Sequence, residues 1–65
     1  MPLTVNGQPT PIPDPPTLER LLAVLRPPLP CAVARNEEFV PASVYAKCEL
    51  TDSDRIEIVY PSAGG

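Results

Sequence analysis

The chain has 65 residues, a net charge of −3 and no histidine, so it is one domain with a thin core, burying only about 60% of the surface that its unfolded form exposes. A deep catalytic cavity is not expected at this size, and the commonest general base and metal ligand is missing. Its five basic residues form no phosphate-tracking stripe, no apolar run reaches the ~20 residues that span a bilayer, and no signal segment opens the chain. Nucleic acid and membrane are therefore not expected partners, and the cytoplasm is the expected compartment.

Positions 2–6 predict a strand with Leu3 and Val5 on one face and Thr4 on the other. Asn6-Gly7 supplies the two positive-φ residues of a tight hairpin turn. Positions 8–13 then carry Pro9, Pro11 and Pro13 at every second place. Alternate strand residues point their backbone groups to opposite edges. The three missing N–H donors therefore share one edge, and Thr10 and Ile12 face the partner strand. That pattern suits a blunted edge strand. A polyproline-II segment with no sheet partner fits the same residues, and the sequence leaves both readings open.

Asp14, Pro15 and Pro16 close this stretch, and Thr17 is a suitable N-cap for a helix running to about Arg26. Leu18, Leu21, Leu22 and Leu25 fall at i, i+3, i+4 and i+7, a single apolar stripe. Glu19 and Arg26 sit at the ends where their charges complement the helix dipole, and Pro27 and Pro28 terminate the helix. Burying four leucines contributes on the order of 1.5–3 kcal/mol each, which makes this helix the main source of core. Positions 26–30 (Arg-Pro-Pro-Leu-Pro) have the form of the basic, proline-rich ligands that SH3-type domains bind. A rigid loop returning the chain to the sheet is the plainer reading.

Positions 31–36 predict a third strand, with Val33 facing the helix because Ala32 and Ala34 are too small to fill that space. Glu37-Glu38 falls in a turn, Phe39 and Val40 form a short extended piece, and Pro41 turns the chain. Positions 42–47 predict no more than a turn or one helical turn, with Tyr45 as a packing lid. Leu50 returns to the core, and Thr51, Asp52, Ser53 and Asp54 form a turn by composition. Positions 55–60 alternate, with Ile56, Ile58 and Tyr60 on a covered face and Arg55, Glu57 and Val59 on a wetter one. Cys31 and Cys48 make no CxxC pair, and two thiols without histidine are too few for a zinc site. They read as buried or half-buried small side chains; a disulfide would be unusual in a reducing compartment.

The elements define an α+β domain, one main helix across a mixed sheet of four or five strands. For the first strand to lie parallel to the last, the chain must cross the sheet, and the helix supplies that crossover. This is the ubiquitin-like β-grasp arrangement, with positions 1–60 as the domain and 61–65 as a flexible tail. Gly64 and Gly65 carry no Cβ, so the final peptide units can enter a channel too narrow for any other residue. Beyond them lies an α-carboxylate.

The block from Ala34 through Arg35, Asn36, Glu37, Glu38, Phe39 and Val40 to Pro41 is followed by Tyr45, Leu50, Asp52 and Asp54. Then come Arg55, Ile56, Glu57, Ile58, Val59 and the ending Ala63-Gly64-Gly65. Over nearly the whole chain this resembles the ThiS-type sulfur carriers of thiamine biosynthesis, and Thr17, Leu18, Leu21 and Leu22 match the family's helix start. Gly-Gly alone is a weak signal; combined with the other blocks it is fairly strong. Three residues depart from the family pattern. Ser53 stands where the family usually has glycine, at a turn position that favours positive φ. Ala42 replaces a usual arginine after Val-Pro, and Arg35 replaces a usual apolar residue. The proline load between Pro9 and Pro16 is also heavy.

The resemblance implies a carrier and not an enzyme. The Gly65 carboxylate would be adenylated by a ThiF-type enzyme using ATP, converted to a thiocarboxylate through a sulfur donor, and presented to a ThiG-type thiazole synthase. None of these steps needs a side chain of the carrier, a metal or a stably held cofactor. Gly64 and Ala63 would give the tail access to its partners. Docking is expected on the wet face and edge of the last strand, through Phe39, Glu57, Val59 and Tyr60. The acidic balance suits basic grooves on the partners, the interfaces should be modest in area, and the free protein should be a monomer. Other readings are a thiocarboxylate carrier for molybdopterin, cysteine or secondary-metabolite synthesis, and an adaptor docking through its prolines. An enzyme with Cys31 or Cys48 as nucleophile is the least supported, since no histidine activates either thiol.

Overall fold

The computed structural model describes residues 2–61. Strands β1 (Leu3–Val5) and β2 (Gln8–Thr10) lead into helix α1 (Leu18–Leu25). Strands β3 (Ala32–Arg35) and β4 (Glu38–Val40) come next, then a 3-10 helix (Ala42–Lys47) and strand β5 (Arg55–Val59). The sheet order is β2-β1-β5-β3-β4. β1 and β5 are parallel and the remaining neighbours antiparallel. A parallel pair cannot be closed by a hairpin, and α1 lies in the connection that makes it.

Both hairpins close through two residues with positive φ, the geometry that matches strand twist. Asn6 and Gly7 have φ of 50° and 83°, and Asn36 and Glu37 have φ of 51° and 73°. The second turn thus falls at Asn36-Glu37, one residue earlier than Glu37-Glu38. The pairing of Arg35 with Glu38 places Glu38 inside β4.

β2 is an edge strand, but only for three residues. Thr4 donates its N–H to the Asp54 carbonyl at 3.0 Å, so the neighbouring Leu3 and Val5 turn their backbone groups toward β2. Pro9 lies opposite Thr4, and its missing donor therefore falls on the outer edge, as the alternation of prolines predicts. Pro11, Ile12 and Pro13 lie beyond the strand, so Ile12 takes no ladder partner.

Thr17 caps α1, its Oγ1 accepting from the Arg20 N–H at 3.1 Å. Two further bonds stitch the helix start to the segment before β5. The Leu18 N–H donates to the Cys48 carbonyl at 2.9 Å, and the Leu50 N–H to the Pro16 carbonyl at 2.7 Å. Arg26 closes the helix in the left-handed region at φ 53°, its N–H donating to the Leu22 carbonyl.

The core consists of Leu3, Leu18, Leu21, Val33, Val40, Leu50, Ile56 and Ile58. Leu22, Val5 and Tyr45 pack against it from the side. The leucine stripe of α1 falls short by one turn. Leu25 is 39% exposed because it faces Ile12 and Pro13, where no strand runs. The segment after Pro41 forms a six-residue 3-10 helix, longer than the single turn expected, and holds Tyr45 over the core.

Candidate functional site

The face of the sheet away from α1 is set by strand alternation. Val33 points into the core, so Ala32 and Ala34 point outward. Ala34 lies between Phe39 of β4 and Glu57 of β5, and Ala32 lies beside Val59. Two methyl groups on β3, between β5 and β4, thus form a low floor between larger side chains. Phe39 is 69% exposed and Val59 58%, two apolar side chains flanking the alanine floor on this face. The exposed carboxylate of Glu57 lies across Ala34 from Phe39. Exposed apolar surface of this kind marks docking sites more often than stray side chains do.

The structure places Phe39, Glu57 and Val59 on one face of the sheet, and it corrects two details of the expected surface. β5 lies between β1 and β3, so the last strand has no free edge to offer. The open edge near Phe39 belongs to β4. Tyr60 lies one residue past β5 and is 45% exposed, so the alternation that would have placed it with Ile56 and Ile58 stops before it. Ala63, Gly64 and Gly65 fall outside the described residues.

Asp54 organises the start of β5. It is buried, and its carboxylate accepts from the Thr51 N–H at 2.9 Å, the Asn36 amide at 3.1 Å and the Arg35 Nε at 3.1 Å. Arg35 Nη2 adds an ion pair at 3.1 Å. Burial pushes the Asp54 carboxyl up, but the Thr51 N–H, the Asn36 amide and the Arg35 guanidinium outweigh it and hold it below the ordinary carboxylate range. Asn36 also accepts from the Arg55 N–H through Oδ1 at 2.9 Å. The β3–β4 hairpin is thereby locked to the root of β5. Arg35, at a place the family usually fills with an apolar residue, is the cation of this cluster.

Sequence reasoning reads Asn6 and Asp54 only as turn formers and Asn36 as the end of the third strand. Their side-chain roles join residues far apart in the chain, and short-range pattern does not report them. Cys31 and Cys48 are free thiols, both half-buried. Among the described residues no group of three or more His, Cys, Asp or Glu side chains is placed to hold a metal ion. No helix among them is long and apolar enough to cross a membrane.

A five-stranded mixed sheet with one covering helix, parallel at its centre, and exposed apolar side chains on its open face define a ubiquitin-like β-grasp protein. The ThiS family model matches residues 3–65, and the chain belongs to the ThiS family. Among solved structures, the crystal structure of a thiamine biosynthesis protein (ThiS) from Geobacter metallireducens is similar over 100% of both chains, at 28% identity and a TM-score of 0.82. A comparison with curated proteins finds no match. ThiS proteins are small sulfur carriers of thiamine biosynthesis and not catalysts.

Proposed function

We propose that this chain carries sulfur on the α-carboxylate of Gly65 for formation of the thiazole ring of thiamine. What carries the reading is a family match that runs through Gly64 and Gly65, downstream of the central strand of the sheet. A carboxylate is a poor acyl donor until one oxygen becomes a leaving group. A ThiF-type enzyme supplies that activation: the Gly65 carboxylate attacks the α-phosphorus of ATP and pyrophosphate leaves. Sulfide-level sulfur released by a donor then attacks the acyl carbon, AMP leaves, and the resulting thiocarboxylate is presented to a ThiG-type thiazole synthase. ATP belongs to the activating enzyme, and the carrier holds no cofactor of its own.

In this reading positions 1–60 are the body and 61–65 the tail. Phe39, Val59, Glu57 and Tyr60 dock the partners, while Ala63 and Gly64 keep the approach to the carboxylate narrow. Docking must be reversible, because the carrier passes between two enzymes, and an exposed patch of a few side chains suits a modest interface. The protein works in the cytoplasm as a monomer between encounters.

The test is adenylation by the cognate ThiF-type enzyme. The chain ending at Gly65 should support ATP–pyrophosphate exchange and, with the sulfur donor, gain the mass of a sulfur-for-oxygen exchange. A chain with one residue added after Gly65 should keep its fold and lose both. Adenylation of the extended chain would refute the reading.

A further inference from the structure

β1 and β5 run side by side, but β1 is the shorter. Its last backbone rung is the Asn6 N–H, which donates to the Ile56 carbonyl at 2.8 Å. The Asn6-Gly7 turn then carries the main chain away toward β2. On that flank of β5 the next backbone groups are the N–H and carbonyl of Ile58, with no strand left opposite them. The Asn6 side chain fills the gap. Its Oδ1 accepts from the Ile58 N–H at 2.8 Å, and its Nδ2 donates to the Ile58 carbonyl at 3.3 Å. One carboxamide thus mimics a peptide unit and adds a rung to the parallel ladder. On the other flank the last pair is Ala32 with Val59. The chain leaves the sheet between these two fastenings.

We propose that Asn6 is a positioning residue for the loading of Gly65. This deepens the carrier reading and rests on it. Its side chain pins β5 at Ile58, next to the docking residue Val59. That fixes where the tail starts relative to a partner seated on Phe39 and Val59. The seven residues after Ile58, ending at Gly65, reach at most about 3.3–3.6 Å each when extended, so a slack origin costs the carboxylate its register. Without the rung, the end of β5 frays and must be reordered each time the tail enters a partner's channel.

Two variants separate this role from a turn-forming one. Asn6→Gly keeps the positive φ that the turn requires and deletes the carboxamide. Asn6→Asp keeps the acceptor for the Ile58 N–H and loses the donor to its carbonyl. In carrier-dependent ATP–pyrophosphate exchange with the ThiF-type enzyme, Asn6→Gly should lower kcat about tenfold, the effect of ordering roughly one more backbone residue. KM for the carrier should change by less than kcat, since of the proposed docking residues only Val59 and Tyr60 lie on the freed end of β5. Asn6→Asp should fall between Asn6→Gly and the wild type. Amide hydrogen exchange at Ile58 should quicken in Asn6→Gly and stay closer to wild type in Asn6→Asp, which keeps the acceptor.

Leu21→Val, which destabilises the domain from the helix side, should keep the wild-type kcat at a temperature where all the proteins are folded. A wild-type kcat in Asn6→Gly, or an equal loss in Leu21→Val, would overturn the proposal while leaving the carrier reading intact. A wild-type chain that is not adenylated at all would remove both.

Discussion

Asp54 is a buried carboxylate whose removal leaves the Arg35 guanidinium, the Asn36 amide and the Thr51 N–H short of an acceptor. Asp54→Ala should therefore cost about 2–3 kcal/mol, with Arg35 still partly solvated. Urea unfolding at neutral pH measures it. The pH dependence has a fixed sign. The folded carboxyl titrates below its ordinary 3.8, so its contribution is complete above the unfolded value and is lost as pH falls through the folded one. Asp54→Asn should be less stable than wild type at pH 7, and the gap should shrink in acid unfolding below about pH 4. Ser53 offers the opposite case. It holds φ at 74°, where a Cβ is strained and glycine is not. Ser53→Gly should stabilise the domain by about 0.5–1 kcal/mol, a melting rise of about 4–8 °C per kcal/mol at this size.

At the scale of elements, local signals are legible and pairing is not. Thr17, the leucine spacing and Pro27 mark α1 to within a residue. Asn6-Gly7 marks the first hairpin because both residues tolerate positive φ. The second hairpin turn is misplaced by one residue because Asn36-Glu37 carries no glycine to announce it. Leu25 and Tyr60 continue their patterns on paper, but each element runs out of neighbours before reaching them. That Glu57 and Val59 lie on the wetter face follows from alternation; the docking role proposed for them and for Phe39 comes from the family resemblance. The missing edge of β5 could not be read, since its place between β1 and β3 depends on contacts across the whole chain. The same holds for the Asn6 carboxamide, which reaches a partner 52 positions away. The face itself is testable. Phe39 is largely exposed, so Phe39→Ala should leave the melting temperature nearly unchanged. It should raise KM for adenylation about tenfold, or about 1.4 kcal/mol of docking energy.

The whole molecule carries a net charge of −3 and is proposed to meet partners with basic grooves. Encounter should then weaken as salt screens the attraction. KM for the activating enzyme should rise between low and physiological ionic strength while kcat holds. The sheet's two margins are also unlike. On the β2 side Pro9 presents no donor to a newcomer, whereas the β4 side ends in an open strand beside Phe39. Lateral growth of the sheet is thus possible in one direction only. Two molecules can join β4 to β4 in a twofold pair, and the assembly then shows proline margins on both outer sides. Concentrated solutions should accordingly stop at dimers instead of seeding fibrils.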